Sequence, residues 1–198
     1  MFGWTLTFTA VLALIFFTLL GLLWVRKLQF DAVHQNFLDL EDNFGGQVIR
    51  AGFAVRPRYS GNFKGQRVSI TFTKEGRGRG RRYYITITMQ AHSRVNFSIM
   101  ATGWMQTPEA GSRSNRSMTP LKEGKYMLEV QKKRQLKKLD LKRLEEAIAV
   151  MDPFAYVLMA NSGMLLERPS VNIVEDTRFG ALSRLLEGMH RLKEMVEG

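Results

Sequence analysis

The hydrophobic pattern changes character repeatedly along the chain, and each change predicts a different element. The opening stretch MFGWTLTFTAVLALIFFTLLGLLWVRK has no charged side chain before Arg26. Trp4 to Trp24 as a helix would cover about 30 Å, the thickness of a bilayer's hydrocarbon core. Phe30, Val33, Phe37, Leu40 and Phe44 then recur at spacings of three and four, which lines one face of a helix that Gly45-Gly46 stops.

Beyond the glycines the period falls to two. RVSITFT, YYITITMQ and VNFSIM place Val68, Ile70, Phe72, then Ile85, Ile87, Met89, then Val95, Phe97, Ile99 on one side, with hydroxyl and amide side chains between them. Successive strand side chains point to opposite faces, so these runs read as a sheet with one buried face. An earlier strand is expected within 47–55 and a later one at Tyr126, Leu128 and Val130, giving an antiparallel meander. Residues 105–124 lose periodicity and gather Pro, Ser, Gly and Arg, which predicts a long basic loop. A helix is expected over 136–151, ended by Asp152-Pro153, then a strand near 171–174, since Pro169 argues against a central strand reaching further back. Phe179, Leu182, Leu186, Met189, Leu192 and Val196 stripe a final helix. The expected fold is α+β: one N-terminal transmembrane helix over residues 1–27, then a domain over 28–198 whose antiparallel β-meander is covered by helices.

Flanking chemistry decides how the apolar run is read. A cleaved secretory signal needs a basic start, a shorter apolar stretch and a small-residue cleavage site, and none is present, which favours a retained anchor. Trp4 and Trp24 fall at interfacial depth, and Arg26 with Lys27 closes the apolar run. Because basic residues follow the run and none precedes it, the positive-inside rule expects a single-pass protein of the inner or plasma membrane, with its N-terminus outside and the C-terminal domain cytoplasmic.

Charge sharpens the picture of partners. The formal net charge of +11 is concentrated in residues 44–138, which hold 20 basic and 4 acidic side chains, whereas residues 28–43 and 139–198 are mildly acidic. KEGRGRGRRYY, residues 74–84, lies between two alternating runs, so its glycines read as a hairpin connection. A dinucleotide loop would need a helix directly after them. Arg77, Arg79, Arg81 and Arg82, with Arg113 and Arg116 of the basic loop, are the candidate contacts to anionic lipid or to an acidic partner subunit. Arginine-glycine runs beside aromatics also bind single-stranded nucleic acid, but this one is short and framed by strands, so nucleic acid is the less favoured partner.

Catalytic chemistry finds little support. The chain has no cysteine, His34, His92 and His190 lack metal-ligand spacing, and Asp140, Glu145 and Glu146 sit among lysines and arginines as ordinary helix-surface pairs. Asn161-Ser162-Gly163 lacks the glycine pattern of a nucleophile elbow. No catalytic, metal or cofactor-binding residue is therefore assigned. The expectation is a non-catalytic accessory, scaffolding or assembly subunit of a larger membrane complex, respiratory or photosynthetic complexes among the possibilities, with other membrane-protein subunits and lipid headgroups as partners. The alternative is a free-standing membrane protein that binds anionic lipid or nucleic acid.

Overall fold

A computed structural model describes residues 2–53, 55–75, 82–104, 117–130, 133–137 and 139–197. The chain begins with one continuous helix, α1 (Phe2–Phe44), 43 residues long and so about 64 Å from end to end. No glycine or proline interrupts it between Leu22 and Phe44, and the Arg26-Lys27-Leu28-Gln29 junction consists of good helix formers. The boundary expected after residue 27 therefore falls inside a helix. The apolar half is long and apolar enough to cross a membrane, and none of its most apolar window is buried against the protein.

A nine-stranded antiparallel sheet follows: β1 (Gln47–Ile49), β2 (Arg58–Phe63), β3 (Gln66–Glu75), β4 (Arg82–Met89), β5 (Phe97–Ala101), β6 (Ser117–Leu121), β7 (Tyr126–Val130), β8 (Tyr156–Ala160) and β9 (Gly163–Ser170). Among the described residues the further α-helices are α2 (Lys133–Leu136), α3 (Leu141–Met151), α4 (Ile173–Asp176) and α5 (Phe179–Glu197). The α+β class is as the sequence implies. One apolar row crosses seven strands in register, Tyr59, Ile70, Ile87, Leu166, Val157, Ile99 and Leu128, and all seven side chains are buried. The helices supply the other half of the core with Val33, Phe37 and Leu40 from α1, Leu144 and Ile148 from α3, and Leu185, Leu186 and Met189 from α5. Phe37 stacks on Phe72 at 5.8 Å, and Phe44 meets both Phe63 and Phe179, so α1 is locked to the sheet and to α5 together.

The strand order is β1-β2-β3-β4-β9-β8-β5-β7-β6, which corrects the simple meander. Strands β1 to β4 follow one another, but the β8–β9 hairpin inserts between β4 and β5. That hairpin was not expected from the sequence. Its strands lie in mid-sheet and its two-residue turn is Asn161-Ser162. The strand expected at 171–174 ends instead at Ser170, and residues 173–176 form α4, capped by the Asn172 side chain. Pro169 is tolerated in this central strand for a geometric reason. Glu167 turns its hydrogen-bonding groups toward β8, accepting from Ala155 N–H at 2.8 Å, and Pro169 has the same parity, but β8 has already ended opposite Glu167. The missing N–H of proline thus falls where no strand runs alongside.

Three further expectations are corrected. Only Gln47–Ile49 of the 47–55 stretch is strand, and the next strand is β2, whose Tyr59, Gly61 and Phe63 alternate inward. Part of the expected basic loop is edge strand β6, where Pro120 is harmless, while residues 105–116 lie outside the described residues. The expected helix over 136–151 is divided: α2 ends at Leu136, and Asp140 caps α3 by accepting from Lys142 N–H at 3.1 Å and Arg143 N–H at 3.2 Å. A short side chain able to cap a helix start competes with helix continuation at that position.

Candidate functional site at the junction of helix and sheet

The apolar half of α1 leaves the domain beside the sheet end formed by the close of β3, the start of β4 and the close of β9. There a cleft of about 610 Å³ opens between α1 (Leu22, Val25, Arg26, Gln29, Phe30), Arg56 just before β2, Tyr83 of β4, and the Ser170–Ile173 turn between β9 and α4. Along α1 the lining passes from exposed apolar Leu22 and Val25 to Arg26 and exposed Gln29, and the facing turn contributes half-buried Ser170 and Ile173 with exposed Val171 and Asn172.

Two arginines dominate the cleft's electrostatics. The Arg26 and Arg56 guanidinium carbons lie 5.5 Å and 6.0 Å from the centroid of the same Phe30 ring, and Arg56 also lies 4.7 Å from the centroid of Tyr83. Arg56 is half-buried. Burial, and after it the neighbouring Arg26 charge, push its guanidinium below the usual value, against the pull of Tyr83, though an arginine stays charged throughout the physiological range. Among the described residues neither arginine is paired with a carboxylate. The two acids that follow the turn lining the cleft are already engaged, Glu175 by Arg178 at 2.7 Å and Asp176 by Arg168 at 3.6 Å and by the Ser170 hydroxyl at 2.9 Å.

The neighbouring cations of α1 and the loop behave differently. Lys27, the residue after Arg26, lies 3.2 Å from Asp31, and Arg50 reaches the same carboxylate at 2.5 Å. That pair of cations shares one acid, which offsets one of their two charges, with Lys27 also lying over Trp24 and Phe53 at 5.3 Å and 5.6 Å. Arg26 and Arg56 share only a hydrophobic ring. Two like charges over one ring, both lining the cleft, form a site suited to an anion.

The residues singled out from sequence are distributed as follows. Trp4 and Trp24 are exposed on α1, and Arg26 and Lys27 stand where the apolar half ends. Arg82 is exposed at the start of β4, opposite Glu75 and next to the cleft residue Tyr83. Arg77, Arg79, Arg81, Arg113 and Arg116 lie outside the described residues, but the pairing of Glu75 with Arg82 makes the arginine-glycine segment the link of a β-hairpin, as its flanking alternation implies. Arg56 and Tyr83 escaped sequence reasoning, because only the antiparallel pairing and the docking of α1 bring them to Arg26.

Comparison with known proteins yields a likeness of fold. No protein-family model and no curated protein matches the chain. Among solved structures, the crystal structure of the mycobacterial trehalose monomycolate transport factor A, TtfA, is similar to it. The TM-score is 0.50 with 11% sequence identity, covering 82% of this chain and 93% of that one.

The other titratable clusters serve the fold. Asp152 accepts from Lys125 Nζ at 2.7 Å and from the Tyr126 hydroxyl, and Tyr126 stacks on Phe154 at 4.3 Å. Burial raises the Asp152 carboxyl's pKa, but those two donors outweigh it and hold the group below its ordinary value. Glu187 of α5 binds Lys64 of the β2–β3 turn at 2.7 Å. Asp140, expected to pair along its helix, is chiefly a cap, and Glu145 accepts from the Lys122 backbone N–H at 2.8 Å. His190 lies 3.2 Å from Glu194 on the same helix. Among the described residues no cluster of three His, Asp or Glu side chains has the arrangement of a metal site.

Proposed function

We propose that this chain is a non-catalytic accessory factor of a membrane assembly, anchored by the apolar half of α1, with its folded domain on the cytoplasmic face of the inner or plasma membrane. The observation that carries the reading is the continuity of α1. One half is apolar and uncovered on every described face, and the other half is built into the domain core without a linker. A domain held in this way is suited to holding partners at a set distance from the bilayer. The orientation follows from Arg26, Lys27 and the basic middle segment lying on one side of the apolar run. The non-catalytic reading draws support from the way Asp152, Glu187 and Asp140 are committed to structural contacts. The similar fold of TtfA, a trehalose monomycolate transport factor, gives the accessory role one concrete form, that of a transport factor.

A gentle-detergent pull-down of tagged full-length protein tests this reading. Stoichiometric recovery of other membrane subunits is the expected result, and a lone monomer overturns it. The second reading, a free-standing binder of anionic lipid, is favoured by the Arg26–Arg56 cleft, which has no carboxylate partner among the described residues, and in that case the monomer would come out carrying lipid.

A further inference from the structure

We propose that the junction cleft is a headgroup site for one anionic phospholipid, with its phosphate ester between Arg26 and Arg56 and an acyl chain running outward along Leu22 and Val25. The inference rests on the membrane-anchor reading of α1 and adds to it a specific ligand class at a defined place.

Four observations converge on this ligand. The first is charge: Arg26 and Arg56 both lie over Phe30 without a carboxylate among the described residues, while Lys27, one position along the helix, shares Asp31 with Arg50. A phosphate between the two guanidiniums replaces their mutual repulsion with charge-assisted, fork-shaped hydrogen bonds, which arginine makes to phosphate oxygens better than any other side chain. The second is setting: buried Phe30 and the Tyr83 ring wall the half-buried Arg56, so its bonds to a phosphate are less screened than at an open surface. The third is polarity along α1, whose lining side chains pass from apolar Leu22 and Val25 to Arg26 and Gln29, the same order in which a lipid passes from acyl chain to headgroup. The fourth is size, because about 610 Å³ lies within the range of small-molecule sites and holds a phosphate, a glycerol and the first carbons of a chain. The position at the first cation after the apolar run puts the cleft at headgroup depth when α1 spans the bilayer.

The test uses full-length protein in a neutral detergent and native mass spectrometry, with phosphatidylglycerol, phosphatidylcholine or inorganic phosphate added in turn. Wild type is expected to retain one phosphatidylglycerol in preference to phosphatidylcholine. The double variant Arg26→Gln/Arg56→Gln is expected to lose that retention by at least about tenfold while keeping its thermal melt. Lys27→Gln/Arg50→Gln removes the same formal charge from the side that shares Asp31 and is expected to bind as wild type does. Equal losses in the two double variants would reduce the effect to general surface charge and overturn the site. Retention of phosphatidylcholine as strongly as phosphatidylglycerol, or no lipid retained at all, would overturn it as well. Inorganic phosphate held as tightly as the lipid would make the cleft a free-phosphate site and overturn the lipid assignment. Membrane fractionation of the same samples keeps the two readings apart: protein that stays in the membrane yet holds no lipid in the cleft refutes this inference alone, whereas wild type in the soluble fraction refutes the anchor.

Discussion

The two halves of α1 have the same backbone geometry and make opposite demands on their surroundings. From Trp4 to Val25 the described side chains are exposed and almost all apolar, so no stripe is singled out. From Phe30 to Phe44 only one stripe is buried, and the other positions carry Asp31, Asn36, Asp39, Glu41 and Asp42. A helix that is apolar all round calls for an apolar solvent, whereas a striped one calls for a sheet to cover the stripe. The difference shows that a single secondary-structure element can be specified for two solvents in succession, with Arg26 and Lys27 marking the change.

The largest effect should come from breaking the outer half alone. Replacing Leu12 and Ile15 with arginine puts two charges at the centre of the apolar run, each costing roughly 2.5–3.5 kcal/mol on insertion scales. Carbonate extraction should find the double variant in the soluble fraction, with the domain's thermal melt unchanged. The complementary change in the inner half is Phe37→Ala. Phe37 is completely buried against Tyr59 and Phe72, and losing it should reduce domain stability by about 3–5 kcal/mol in a urea titration while leaving the protein membrane-bound. If either variant moved both observables together, the separation of the two halves would fail.

A smaller effect tests the close of the helix. Gly46 adopts φ +110°, a Cβ there would meet the Gly61 Cα at 2.5 Å, and the Tyr59 hydroxyl donates to the Gly45 carbonyl at 2.6 Å. Gly61→Ala should therefore lift the end of α1 off β2 at a cost of about 1–3 kcal/mol, seen as faster amide exchange at Val48 and Ile49. The smallest effect is acid sensitivity. Lys64, first among the causes, holds the Glu187 carboxyl below its usual range. Its folded-state pKa thus lies under the unfolded value of about 4.3, so its stabilisation is complete above that pH and fades as the pH falls through the folded value. The melting temperature should decline below about pH 4.5, less steeply in Lys64→Met, with membrane retention unmoved.

Much of the fold is legible where patterning is local. The stripe from Phe30 to Phe44, the alternating runs of β3 and β4, and the hairpin link at residues 76–81 all follow from neighbouring residues. The β8–β9 hairpin escaped because its place between β4 and β5 is decided by contacts distant in sequence, and because Val157, Met159, Met164 and Leu166 are flanked by further apolar side chains that blur the alternation. Pro169 misled for a related reason. Its missing N–H matters only if a strand lies on that side, and the ending of β8 is not written near residue 169. The candidate site was half visible: Arg26 stands out as the first cation after the apolar run, whereas Arg56 gains its meaning only from the ring it shares with Arg26.

The uninterrupted passage of α1 from its apolar half into the core also fixes an azimuth. With 3.6 residues per turn, one residue inserted between Arg26 and Phe30 would swing everything N-terminal to it by about 100° relative to the sheet, and about seven inserted would nearly restore the bearing while pushing the domain out by about 10 Å. Whatever side of the outer helix meets a neighbour, the sheet faces a compass direction set by that contact.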